Sequence, residues 1–256
     1  YPKEGMSWDD VYETAKKLTR TDGGQPYKGF AFQFDQLMAT NQLSAPYFDP
    51  KTYKAKFLED NFVKAFDNLV RFHRIAGNEP PAAGAPNAFQ KEKNVAMFMG
   101  TSGHVKPTAE QVPNWDAASV PVMAQKPDTG FQAAPEYFYI TNKSKSRDAA
   151  FQVLAFIASD EFQEWLGRTN AILPVVKNPD QLMKTFGADL PGFAGKNVRS
   201  LIPRAYAPLT TSPYLTIGNA EMLAALQAVL GGKDANTALR EAGERADQRI
   251  AAELGK

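Results

Sequence analysis

The chain has 256 residues, and its 29 lysines and arginines nearly balance 28 aspartates and glutamates, for a formal net charge of +1. So even a balance leaves no electrostatic footprint for DNA, RNA or an anionic membrane surface, and no nucleic-acid partner is expected. The absence of cysteine excludes disulfide scaffolds, thiolate metal sites and cysteine nucleophiles.

The first predicted element is a helix. Ser7 is placed to accept the amide of Asp10, and Asp10 completes a capping box. Met6 and Val11 are spaced for a hydrophobic staple, and Trp8, Val11, Tyr12, Ala15 and Leu18 share one helical face. The run Thr21-Asp22-Gly23-Gly24 is expected to stop this helix. Phe30, Phe32 and Phe34 alternate, which predicts a strand over 27–34, followed by a helix over 35–42. An aromatic, proline-containing loop covers 44–53. A second amphipathic helix over 60–75 presents Phe62, Ala65, Phe66, Leu69, Val70 and His73 on one face, until Gly77 and two prolines stop it.

A short helix over 87–93 leads to a buried strand at 95–99 and a turn at 100–103. A second short apolar strand lies within 115–123. Residues 130–174 hold an aromatic strand at 137–140, a Ser/Lys turn, and helices at 147–158 and 159–166. Residues 178–204 are irregular with short helices, and 205–214 form a loop rich in hydroxyls and proline. Helices then cover 220–230, stopped by Gly231-Gly232, and the segment after Asp234, whose Ala235, Leu239, Ala242, Ala246 and Ile250 form a stripe. Strands separated by helices predict an open α/β layer, in which ligands sit at the strand C-terminal ends. No apolar run approaches the ~20 residues of a membrane span. The chain opens on Tyr1-Pro2-Lys3 with no charged-then-apolar signal region.

Enzymatic signatures are sparse. There is no G-x-S-x-G, no H-E-x-x-H and no phosphate loop. Asp9-Asp10 and Asp160-Glu161 are read as helix-start acids that suit the helix dipole, not as a glycosidase pair. His73 sits on an apolar helix face and is read as a structural histidine. No cofactor and no metal is expected.

Four stretches together resemble the family 1 extracellular solute-binding proteins of ABC importers, a group that includes the maltodextrin-binding proteins. They are Gly5-Met6-Ser7-Trp8-Asp9-Asp10-Val11; Phe89-Gln90-Lys91-Glu92-Lys93-Asn94-Val95-Ala96-Met97-Phe98-Met99-Gly100; Ile140-Thr141-Asn142-Lys143-Ser144-Lys145 with the Ala149-Ala150-Phe151 helix and Ser159-Asp160-Glu161-Phe162-Gln163; and Asp234-Ala235-Asn236-Thr237-Ala238-Leu239.

The resemblance implies an α/β fold of the periplasmic-binding-protein type II, with two αβα lobes joined by hinge crossings. Mostly the second lobe is expected in this chain: 1–135 as its first part, 136–177 as a returning piece of the first lobe, and 178–256 as its last part. That returning piece would expose Phe151, Leu154, Ile157, Phe162 and Trp165. A further N-terminal segment or another chain is therefore expected to cover the Phe151/Trp165 face. The implied function is capture of a carbohydrate or similar polar solute between the lobes and its delivery to an ABC transporter membrane permease. The implied location is the cell exterior, lipid-anchored or periplasmic. Two other readings stay open: a glycoside- or polysaccharide-processing enzyme on a similar scaffold, and a single-lobe interaction domain.

The second-lobe loops then supply the ligand-binding candidates. Gln33, Asp35, Gln36 and Asn41 follow the first strand and are suited to sugar hydroxyls, though an exposed helix start carries the same residue types. Thr101 and Ser102 stand where sugar-binding relatives often carry a tryptophan, which argues against a long oligosaccharide stacked on an indole. Tyr206 and Tyr214 are candidates for stacking on a sugar, with a packed core tyrosine as the alternative. Gln132, Glu136 and Tyr137 lie beside the hinge crossing.

Overall fold

The computed structural model describes residues 2–35, 42–80 and 84–255. The chain packs into two compact units. One comprises Tyr1–Met99, Val120–Ala133 and Pro203–Lys256; the other comprises Gly100–Ser119 and Ala134–Ile202. These boundaries group 100–119 and 178–202 with 134–177, a different partition from the segments expected on the resemblance.

In the first unit, α1 (Trp8–Leu18) opens with the expected capping box. The Ser7 hydroxyl accepts the Asp10 amide, and Asp10 accepts the Ser7 amide at 2.9 Å. The Ser7 hydroxyl also donates to the Asp10 carboxylate at 2.7 Å, and this bond, with the one from the Ser7 amide, favours the charged form, so the Asp10 carboxyl titrates below its ordinary value. The helix ends earlier than the glycines suggested. Thr19 is already extended, and its hydroxyl donates to Ala15 O. Gly23 and Gly24, both at positive φ, instead turn an antiparallel hairpin between β1 (Arg20–Asp22) and β2 (Gln25–Phe32). Two adjacent glycines serve a hairpin turn as readily as a helix stop, and β1 is too short to show a pattern of its own.

β2 pairs in parallel with β3 (Val95–Met99), with Phe30 opposite Met97 and Phe32 opposite Met99. The helix expected over 35–42 falls largely on 36–41, outside the described residues. α1 crosses β2 in direct backbone contact: a Cβ on Gly29 would lie 2.0 Å from Ala15 O, so only glycine fits there.

The core of this unit is aromatic. α2 (Asp60–His73) sends Phe62, Phe66, Leu69 and Phe72 into it, each fully buried. Phe72 meets Trp8 at 5.7 Å, Tyr12 at 5.5 Å, Phe30 at 5.0 Å and Phe32 at 5.5 Å between ring centroids. Gln42 is among the polar side chains buried with them. Gln42 accepts from the Trp8 indole at 2.9 Å and donates to Pro121 O at 2.9 Å and Thr129 O at 2.7 Å. With one acceptor and two donors in use, its amide ties α1 to two distant stretches of backbone.

The C-terminal helices close the unit. α6 (Leu215–Leu230) begins five residues before the expected start, with Tyr214 at its N-cap, and packs on α7 (Ala235–Glu253). Buried Glu221 on α6 accepts from Arg245 at 2.7 Å and from Arg249 at 2.9 Å, both on α7. Between these elements, β4 (Thr129–Gln132) runs parallel to β5 (Ala205–Ala207), a strand inside the expected 205–214 loop. The expected strand within 115–123 reduces to isolated bridges, Val122 with Ser7 and Met123 with Lys126.

Asp234 caps α7 by accepting the Thr237 amide at 2.8 Å, which lowers its carboxyl pKa. A pKa depressed by folding gives stability that is present above the unfolded value and lost as pH falls through the folded one. Asp234→Ala is therefore expected to lower the melting temperature at pH 7, with the difference from wild type shrinking below pH ~4, the ordinary carboxyl range. Thermal melts across that range check it.

The second unit has its own smaller core. Val105 and Ala109 of α3 (Val105–Gln111) pack with Trp115, Ala171, Met183, Phe186 and Phe193. The Trp115 indole donates to Gly192 O at 3.1 Å and meets the Phe193 ring edge-on. α4 (Arg147–Ile157) and α5 (Asp160–Asn170) form as expected, and the Ser159 hydroxyl caps α5 through the Phe162 amide. The strand expected at 137–140 does not form. Among the described residues no strand pairs with it, and Tyr137, Phe138 and Tyr139 are exposed. Aromatic alternation selects faces but needs a neighbouring ladder to make a strand. No residue of α4 is buried; Phe151 is 65% exposed and Trp165 on α5 is 52% exposed.

Candidate functional site

The parallel pairing of β2 and β3 brings both strand C-termini to one edge, and the first candidates stand there. The Gln33 amide donates to Met99 O at 2.8 Å, extending the ladder one step beyond Phe32. Asp35 follows, its carboxylate 2.8 Å from His73 Nε2 at the end of α2. His73 is thus a buried partner of a candidate residue, and not only a member of an apolar helix face. Gln36 and Asn41 lie outside the described residues.

A second group surrounds the β4–β5 pair. Gln132, ending β4, donates to Pro208 O at 2.7 Å and to the Thr210 hydroxyl at 3.0 Å, and the Ser44 hydroxyl also donates to Pro208 O. The Gln132 amide nitrogen is therefore engaged by its own chain and fixes the loop after β5. Tyr206 stands on β5 opposite Gly130 and is 48% exposed.

Tyr214 is half-buried against the core and meets Tyr53 edge-on at 5.1 Å between centroids. Tyr53 holds a left-handed backbone, φ 58°, in a loop whose turn Asp49 fixes by accepting the amides of Lys51 and Thr52. Local sequence marks Tyr53 and Ser44 only through the aromatic richness of 44–53, and Thr210 only through the hydroxyls of 205–214; the contacts of Tyr53 with Tyr214, and of Ser44 and Thr210 with the Gln132–Pro208 corner, arise from long-range packing.

Thr101, Ser102 and Tyr137 belong to the other unit. Thr101 precedes a single 3-10 turn (Ser102–His104) that leads into α3, and burial pushes the His104 imidazole below its ordinary pKa. Tyr137 stacks beside Tyr139, both rings largely open to solvent; Glu136 is also exposed. Among the described residues no cluster of three or more His, Asp or Glu is placed to hold a metal ion. No described helix is long and apolar enough to cross a membrane.

Residues 1–164 match the family of bacterial extracellular solute-binding proteins, and the chain belongs to that family. No curated protein matches it. Among solved structures, the sugar-binding protein MalE of Xanthomonas citri superposes with a TM-score of 0.72 at 16% identity, covering 99% of this chain and 66% of that one. An ABC substrate-binding protein of Listeria monocytogenes in complex with cycloalternan gives 0.69 at 17%, covering 98% and 65%. The maltose/maltodextrin-binding domain of MalE from Bdellovibrio bacteriovorus, bound to maltotriose, gives 0.63 at 16%, covering 98% and 67%. Identities this low establish the fold: α/β, of the periplasmic-binding type II. The chain spans about two thirds of the length of these relatives.

Proposed function

We propose that this chain is part of a solute-binding subunit that captures a carbohydrate or similar polar solute outside the cytoplasm and delivers it to the membrane permease of an ABC importer, without covalent chemistry. The observation that carries this reading is family membership over residues 1–164. Two relatives of the same fold hold cycloalternan and maltotriose. The site chemistry agrees with a sugar: a carboxylate at the end of a parallel strand, and aromatic rings on neighbouring loops. The ligand-contacting set of this proposal is Gln33, Asp35, Gln36, Asn41, Thr101, Ser102, Gln132, Tyr137, Tyr206 and Tyr214. In the same proposal 1–135 and 178–256 contribute to the second lobe and 136–177 to the first. The exposed Phe151/Trp165 face is covered by a further segment or by another chain, and the subunit is periplasmic or lipid-anchored at the surface. Burial of such side chains is worth ~1.5–3 kcal/mol each.

Titration calorimetry of the full-length protein against maltotriose and cycloalternan tests the reading. Saturable heat without product supports it; turnover of any glycoside overturns it in favour of an enzyme. Tyr214→Ala is expected to weaken binding by ~1–3 kcal/mol. Because Tyr214 also packs on Tyr53, a melt of the same variant must show that the protein stays folded. Unchanged affinity removes Tyr214 from the site.

A further inference from the structure

His73 has no place among the ligand-binding candidates, yet its position is specific. It is the last residue of α2, and its side chain is 7% exposed. Its ring lies 6.0 Å from that of Phe32, the residue that closes β2. Its Nε2 is 2.8 Å from Asp35 Oδ1, while the Asp35 side chain is 24% exposed. An ionised carboxylate only accepts hydrogen bonds, so Nε2 carries the hydrogen and donates it. The pair thus has a buried member and a member that reaches solvent. The reaching member stands three residues past the end of a parallel strand, on the edge where α/β folds bind ligands.

We infer that His73 is a positioning residue for solute recognition: its buried imidazole holds one oxygen of Asp35 and leaves the other to accept a solute hydroxyl. This rests on the solute-binding reading above. The physical advantage is preorganisation. A free aspartate must lose side-chain rotamer freedom when it binds, whereas one held from behind has already lost it. The hydrogen bond comes from a side chain packed against Phe32, so the carboxylate is fixed relative to the strand end and not to a mobile surface group. A carboxylate held this way suits a neutral polyhydroxyl solute, which presents donors, better than an acidic one.

The test uses the full-length protein, with maltotriose as the probe. His73→Phe is expected to weaken binding about tenfold, the loss of a charge-assisted hydrogen bond. His73→Gln, which can still donate, is expected to recover most of that loss. In an Asp35→Asn background His73→Phe is expected to have no further effect, because His73 acts through Asp35. The chain has only two histidines, so their imidazole nitrogens are separable by NMR. Maltotriose is expected to shift the His73 signals, and Asp35→Asn to shift them without sugar. Full affinity in folded His73→Phe, or an equal loss with Asp35 already replaced, overturns the inference while leaving solute binding intact. No saturable heat in wild type with maltotriose, cycloalternan or any of a panel of neutral mono- and oligosaccharides overturns the solute-binding reading, and this inference with it.

Discussion

Replacing Phe72 with alanine is expected to destabilise the protein by about 3–5 kcal/mol, the range for emptying a buried aromatic position. The side chain is fully buried, and four other aromatic rings converge on it. Those rings come from α1 and β2, two elements that cannot both move into the vacated space. Gly29 and Ala15 already hold their backbones in contact. Little collapse is therefore available, which places the expected cost in the upper part of the range. Denaturant unfolding should show a lower midpoint with an unchanged slope. A loss under about 1 kcal/mol would mean that the aromatic cluster repacks freely.

Gln42→Leu is expected to cost roughly 3 kcal/mol or more, although leucine is a good core residue. The substitution leaves three groups without a partner: the Trp8 indole N–H and the carbonyls of Pro121 and Thr129. An unsatisfied buried polar group costs about 1–3 kcal/mol. The control is Trp8→Phe in the Gln42→Leu background. Removing both partners of one hydrogen bond costs less than the sum of the single losses, so unfolding free energies should be non-additive. Strict additivity would show that the indole–amide bond carries no stability.

These two positions differ in how visible they are in the sequence. Phe72 stands three residues after Leu69, beside the expected face of Phe62, Ala65, Phe66, Leu69, Val70 and His73 but not on it, so a period of 3.6 marks its neighbourhood and the structure its burial. Gln42 looks like the polar end of an exposed helix; its burial depends on Trp8, Pro121 and Thr129, none of them near it in the chain. The same division runs through the fold. Capping at Ser7, Ser159 and Asp234 is decided within four residues and is legible. The parallel pairing of β2 with β3, and of β4 with β5, is decided by packing across long stretches of chain and is not.

Local signals also mislead where two structures share them. Gly23-Gly24 serves a hairpin as well as a helix stop. The alternating aromatics of 137–140 describe a face without supplying a partner strand. At the candidate site, chain order alone puts Asp35 just past β2, three residues after Phe32. The engagement of Gln132 with Pro208 and Thr210, of Tyr214 with Tyr53, and of Asp35 with His73 required the tertiary structure.

The contact at Gly29 has a mechanical consequence. Layers of side chains between a helix and a strand deform under load, as rotamers adjust and absorb small displacements. Where α1 meets β2 that cushion is missing, because backbone lies on backbone. A shift of β2 along its own axis at this point has little slack to dissipate it and is passed to α1 as a rigid push. Trp8 sits at the start of α1 with its ring among the strand phenylalanines. The indole is therefore placed to report displacement of the strand that ends three residues before Asp35, readable by its fluorescence once Trp115 and Trp165 are replaced by phenylalanine.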